Sequence, residues 1–197
     1  MISKELLALL KTNVFTGRII WFAFMAAPLF YTFILFLITK GSGAGRDATE
    51  TGIDLTLPLT ALAVIHALGG FFYRRHAFSA EKLKKMLTGP PDLEAAARNS
   101  QTKQVNQDRL QQFQAFPEDD QHLIGLAYYY QTTGIINMAI WEAIAVYGLV
   151  LGIIRQEFPV LLPFMLASLA LNTICFPRLR EFLEMAQRLQ PRVWGKR

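Results

Sequence analysis

Glu142 has the clearest capacity for chemistry in this sequence, because it lies in a stretch that is otherwise apolar enough to cross a membrane. The stretch, residues 136–154, reads INMAIWEAIAVYGLVLGII. An ionisable side chain at the bilayer centre costs at least about 2.5–3.5 kcal/mol, and such side chains usually face the bundle interior or pair with one another. Glu142 is therefore either a carboxyl that exchanges a proton or cation, or a buried neutral acid that the fold tolerates.

Two further polar side chains, His66 and Asn172, are predicted at the same depth as Glu142. Counted from the outer ends of their spans at about 1.5 Å per residue, Glu142, His66 and Asn172 lie about 18, 20 and 21 Å deep. We therefore predict that Glu142 points inward and hydrogen-bonds to His66, Asn172 or both, directly or through water. Tyr147, one turn after Glu142, completes the candidate ion-binding site.

Four apolar stretches must position these side chains: about 17–39, 53–73, 123–154 and 158–177. Each comes close to the roughly 20 apolar residues that cross about 30 Å of hydrocarbon, or exceeds that number. The chain is 52% hydrophobic and 18% charged, whereas a soluble domain averages about 25% charged residues. The predicted fold class is an all-α, polytopic membrane protein. It has four transmembrane helices, a cytoplasmic helical or irregular loop, and a C-terminal amphipathic helix.

The basic residues predict the orientation of the chain. Three lie in residues 1–18, eight in 74–109 and six in 178–197, whereas only Lys40, Arg46 and Arg155 lie on the opposite side. Since cytoplasmic loops carry the excess of Lys and Arg, both termini and the long loop are expected in the cytoplasm of an inner, cytoplasmic membrane. The net charge of +5 then reflects topology and contact with anionic lipid rather than nucleic-acid binding.

The sequence divides into four parts. Residues 1–73 form an amphipathic lead-in, expected at the membrane interface, and two spans. Residues 74–121 form the cytoplasmic loop, 122–177 two further spans, and 178–197 an amphipathic tail. Residues 92–114 have few apolar anchors and fit either a lone polar helix or a partly disordered loop, whereas PEDD at 117–120 predicts a helix start. The tail is predicted to lie on the membrane surface, or alternatively to dock a partner protein.

Small residues on the helix of Glu142 predict close packing. Gly148 and Gly152 form a GxxxG pair, and Ala145 extends the small stripe. Such stripes let a neighbouring backbone approach closely. We expect helix packing, not chemistry, from these three residues.

The stretch AIWEAIAVYGLVLGI, residues 139–153, resembles the carboxylate-bearing helix of the proton-carrying ring subunit of rotary ATP synthases. In that resemblance Glu142 matches the ion-binding carboxylate, and Ala143, Tyr147 and Gly148 match its surroundings. The resemblance covers about 15 residues, and the preceding span has only two glycines, Gly69 and Gly70, where the ring subunit is glycine-ribbed. What it implies is a proton-exchanging carboxylate at Glu142.

Two functions follow from these observations. The first is a non-enzymatic accessory or structural subunit of a membrane complex, in which the buried polar layer fixes helix register. The alternative is proton or cation translocation through Glu142. The sequence contains no catalytic motif, and only His66 could ligate a haem within the membrane, so we expect no enzyme activity, cofactor or metal. The expected partners are the lipid bilayer and other membrane subunits or further copies of this chain.

Overall fold

The computed structural model describes residues 3–41, 55–98 and 104–189. These residues form helices joined by short turns, and no β-strand is present among them. The α-helices are α1 (Lys4–Gly41), α2 (Thr56–Ala77), α3 (Ala80–Thr88), α4 (Leu93–Ala97), α5 (Gln107–Gln114), α6 (Glu118–Arg155), α7 (Leu161–Thr173) and α8 (Leu179–Leu189), with a 3₁₀ turn at Phe158–Val160 before α7. The all-α prediction is confirmed.

Three of these helices, α1, α2 and α6, are long and apolar enough to cross a membrane. The fourth predicted span is shorter, because the apolar helical segment runs only over Phe158–Thr173 and is followed by a turn. At about 1.5 Å per residue it covers about 24 Å. The fourth crossing therefore stays a prediction.

The chain divides into two compact units, and each of the long helices α1, α2 and α6 contributes residues to both. We call Met1–Arg18, Arg75–Gly134 and Pro177–Arg197 the head unit, and Ile19–Arg74 with Ile135–Phe176 the span unit. The head unit contains the short helices, whereas the span unit contains the apolar parts of α1, α2 and α6 together with α7.

The head unit is built around an apolar core of its own. Its buried members come from the first turns of α1, from α3, α4 and α5, from the first part of α6 and from α8: Leu6, Leu10, Leu83, Leu87, Leu93, Ala96, Ala97, Phe113, Leu123, Ile124, Leu126, Ala127, Phe182 and Ala186. Asp92 caps α4 by accepting the Ala95 N–H at 3.0 Å, and Asn106 caps α5 by accepting the Arg109 N–H at 3.0 Å. Capping side chains of this kind satisfy helix N–H groups that have no intrahelical partner.

Two sequence interpretations need correction in the head unit. The tail helix α8 was expected to place its apolar stripe on the membrane surface, but Phe182 is only 2% exposed and Ala186 is also buried in the head core. The amphipathic lead-in behaves in the same way through Leu6 and Leu10. Their apolar faces are covered by protein, because the short helices between them supply matching apolar side chains. Residues 190–197 of the predicted tail lie outside the described residues.

The loop before α6 also differs from the two forms considered for it. Of residues 92–114, the described positions 92–98 and 104–114 contain two short helices, α4 and α5, and residues 99–103 lie outside the described residues. Leu93 and Phe113 anchor these short helices in the head core. The start of α6 at Glu118 agrees with the PEDD signal.

Helix α6 is the central helix among the three long ones. In its most apolar 18-residue window 44% of residues are buried, against 11% for α1 and for α2. It ends at Arg155, where Gln156 adopts a left-handed conformation (φ 53°) and the Glu157 N–H bonds to the Gly152 carbonyl at 3.2 Å. This is the pattern of a Schellman cap. Glu142 therefore lies on the helix that the rest of the span unit covers most.

Candidate functional site

The Glu142 side chain is buried within the span unit, at 7% exposure. The Ser168 hydroxyl of α7 donates to Glu142 Oε2 at 3.3 Å, and the Asn172 amide donates to Ser168 Oγ at 3.4 Å. The Tyr31 hydroxyl of α1 lies near the same carboxyl. The hydrogen bonds of the carboxyl thus join α6 to α7, and α1 approaches it through Tyr31.

Asn172 contributes a second connection to the same region. It is completely buried, and its backbone carbonyl accepts the Trp21 indole N–H at 2.9 Å and the Cys175 N–H at 3.0 Å. Because α7 ends at Thr173, its last carbonyls have no partner within a continuing helix. Trp21 supplies such a partner from α1, so the end of α7 is fixed to α1 by a polar contact.

His66 forms a separate pair with Tyr147. The Tyr147 hydroxyl lies 3.3 Å from His66 Nδ1 and 3.4 Å from Nε2, and Nδ1 also lies 3.0 Å from the Leu62 carbonyl. The two rings meet edge to face, with their centroids 5.4 Å apart. The contact joins α2 to α6.

The four predicted site residues therefore fall into two groups. Asn172 reaches Glu142 through Ser168, whereas His66 and Tyr147 contact each other. Across residues 3–41, 55–98 and 104–189, no hydrogen bond or ion pair joins His66 to Glu142. The hydrogen bonds link α6 to α7 around the carboxyl, and α2 to α6 around the imidazole.

The small residues on α6 contact two different neighbours. A Cβ built at Gly148 would lie 2.5 Å from Phe164 Cβ of α7, and one built at Gly152 would overlap the Leu35 side chain of α1. Ala145 is completely buried. The GxxxG pair thus admits close approach by α7 at one glycine and by α1 at the other.

Sequence reasoning missed three partners of the polar layer: Ser168, Tyr31 and Trp21. Ser168 precedes Asn172 by four residues, and side chains at that spacing lie on one helix face, so this contact could have been found from the pattern. Trp21 looks like an interfacial aromatic residue in the sequence, and no spacing rule points Tyr31 toward α6. These two contacts depend on how the helices meet.

A second buried polar contact lies elsewhere in the span unit. The amide of Asn137, a completely buried residue, donates to Cys175 Sγ at 3.2 Å, and the Arg74 guanidinium donates to the same sulfur at 3.4 Å. The lone cysteine is therefore packed and hydrogen-bonded, in line with a structural thiol. This contact links α6 and α2 to the turn after α7.

Two buried oxygens beside Ser168, Glu142 Oε1 and Asn172 Oδ1, have no hydrogen-bond partner within the part of the chain that the structure describes. Buried polar atoms are normally satisfied by protein, water or an ion. The same described residues contain no group of three or more His, Cys, Asp or Glu side chains arranged for a metal ion.

The comparisons with known proteins give no family. No protein-family model, curated protein or solved structure matches the chain. The likeness of residues 139–153 to the ATP synthase ring subunit therefore stays a hypothesis. The function has to be argued from the buried side chains themselves.

Proposed function

We propose that this protein is a non-enzymatic, multi-pass membrane protein that serves as a structural or accessory subunit of a membrane complex. In this proposal the segment Phe158–Thr173 provides a fourth crossing in a four-helix bundle. Both termini and the head unit lie on the cytoplasmic side of an inner membrane, as the distribution of Lys and Arg favours.

The observation that carries the proposal is the hydrogen-bond network around Glu142. It uses side chains of α6 and α7, and the described hydrogen-bond partner of the carboxyl is the neutral hydroxyl of Ser168. Burying a polar group is costly unless it is hydrogen-bonded, so the network penalises arrangements of these helices in which the partners separate. Fixing one arrangement is what a structural subunit requires.

The exposed apolar faces of the outer spans support an accessory role. Large apolar side chains of α1 and α2 are more than half exposed, among them Phe22, Phe30, Leu57 and Phe72. Such faces suit acyl chains or the helices of other subunits. The basic residues of the head unit would contact anionic lipid at the cytoplasmic surface.

Two substitutions at Glu142 test the structural role. Glu142→Gln keeps an oxygen that accepts the Ser168 hydroxyl, so unfolding in mild detergent and co-purification with membrane partners should both stay near wild type. Glu142→Leu removes the acceptor of the buried Ser168 hydroxyl, and should destabilise the protein by about 1–3 kcal/mol. Equal stability of the Gln and Leu variants would contradict the proposal.

A second candidate function is proton or cation translocation through Glu142. The observation in its favour is Glu142 Oε1, a buried carboxyl oxygen without a described partner, together with the resemblance to the ring subunit. Proteoliposomes provide the test, because Glu142→Gln would abolish ion flux while leaving the fold intact. Unchanged flux in the Gln variant, or absence of flux in the wild type, would exclude this function.

A further inference from the structure

We propose that Glu142, Asn172 and Ser168 bind one alkali-metal cation of about the size of Na⁺ inside the span unit. The geometry behind this inference is that two buried oxygens without a partner among the described residues belong to side chains joined through the Ser168 hydroxyl. The inference rests on the proposed inward placement of Glu142, and it does not require that the ion crosses the membrane.

One hydroxyl joins the three side chains of the proposed site. Ser168 Oγ is 3.3 Å from Glu142 Oε2 and 3.4 Å from Asn172 Nδ2. Glu142 Oε1 is the second oxygen of the carboxyl that Ser168 contacts. Asn172 Oδ1 is the oxygen of the amide whose nitrogen donates to Ser168. Both oxygens are buried and lack a partner among the described residues.

The chemistry of the donors favours a hard cation. All of them are oxygens of a carboxylate, an amide and a hydroxyl. Oxygen ligands of this kind suit hard ions rather than Cu or Zn, which take imidazole or thiolate. In transporters, Na⁺ sites near the bilayer midplane use oxygen donors in a similar way.

The charge of the site favours a monovalent ion over a divalent one. Glu142 forms no ion pair within residues 3–41, 55–98 and 104–189, and its described partners are uncharged. One bound Na⁺ would neutralise the carboxylate, whereas Ca²⁺ or Mg²⁺ would leave a net positive charge in a medium where isolated charges are expensive. A water molecule could donate to both oxygens, but it would leave the carboxylate charge uncompensated.

The test uses the protein in mild detergent at constant ionic strength, and it is repeated at several fixed pH values. NaCl replaces choline chloride stepwise, while the melting temperature and the rate of carbodiimide labelling of Glu142 are measured, the latter by mass spectrometry. We expect Na⁺ to raise the melting temperature and to slow the labelling, with one shared, saturable midpoint concentration. Labelling that responds to pH but not to Na⁺ would overturn the inference in favour of a proton, and no response to either would overturn it as well.

Variants separate the site from general stability. Asn172→Val, and Ser168→Ala if the first variant folds poorly, should raise the Na⁺ midpoint by at least about tenfold, as loss of supporting ligands usually does. Asn137→Val is the matched control, because Asn137 is an equally buried asparagine whose amide contacts Cys175 instead. A midpoint unchanged by Asn172→Val would contradict the site. The structural proposal is judged separately, by the stabilities of the Glu142 variants without Na⁺.

Discussion

Replacing Gly148 by alanine tests the helix packing in the span unit most sharply. The new Cβ would lie 2.5 Å from Phe164 Cβ, 3.0 Å from Phe164 Cγ and 3.2 Å from Leu161 Cδ1. Carbon atoms normally approach to about 3.5–4.0 Å, so the first contact is short by about 1 Å. Phe164 Cβ is attached directly to the backbone, and relief therefore requires α6 and α7 to move apart.

The magnitude follows from two opposing effects. Overpacking of this kind costs about 1–3 kcal/mol, whereas replacing a helical glycine by alanine gains up to about 1 kcal/mol. Gly134→Ala is the matched control, because Gly134 lies on the same helix and a Cβ built there meets no described atom within 4 Å beyond its chain neighbours and its own helix backbone. Gly148→Ala should therefore be about 1–3 kcal/mol less stable than Gly134→Ala.

Thermal unfolding in mild detergent, followed by circular dichroism, measures this difference. For chains of about 150–250 residues, 1 kcal/mol corresponds to roughly 2–4 °C, so the two variants should melt about 2–12 °C apart. Equal melting temperatures would refute the close approach of α6 and α7 at Gly148. A less stable Gly134→Ala would refute it too.

Two further predictions concern the rest of the fold. Gly70→Ala should be about 2–4 kcal/mol less stable than Gly69→Ala. A Cβ at Gly70 overlaps the fully buried Trp141 indole, whereas one at Gly69 meets no described atom within 4 Å beyond its own helix. Chemical unfolding of the two variants measures the difference, and equal stability would contradict the prediction. In the head unit, Phe182→Ala should lower the free energy of unfolding by about 3–5 kcal/mol, whereas the control Arg180→Ala should leave the melting temperature unchanged. A Phe182→Ala variant as stable as the wild type would mean that α8 does not pack in the head core.

The helices themselves were largely predictable from the sequence. Long apolar runs indicated α1, α2 and α6, and the PEDD signal indicated the start of α6 at Glu118. These features are local, since apolar length, capping residues and dipole complementarity depend on neighbouring positions. The shorter extent of α7 was not predicted, because Ile174 and Cys175 are as apolar as the helix that precedes them.

The head unit was the least predictable part of the fold. The apolar stripes of the lead-in and of α8 were visible, but a stripe alone does not say whether lipid or protein covers it. Phe113 and Leu93 were too sparse in a polar segment to indicate a core. That core requires residues from both ends of the chain, which no local pattern contains.

The candidate site was predictable only in part, for a physical reason. Depth along a helix follows from residue counts, and it placed Glu142 and Asn172 at one level, where Ser168 connects them. Which face of each helix meets which neighbour depends on rotation about the helix axis. That rotation brings His66 to Tyr147.

The central claim, that Glu142 is a buried carboxyl held by Ser168, is tested most directly by a double-mutant cycle. Unfolding free energies of Glu142→Leu, Ser168→Ala and the double variant give the coupling between the two side chains. We predict a coupling of at least about 0.6 kcal/mol, the average for hydrogen bonds between membrane helices, and additivity for the control pair Tyr147→Phe and Ser168→Ala. Additivity of Glu142→Leu and Ser168→Ala within about 0.3 kcal/mol would contradict the claim.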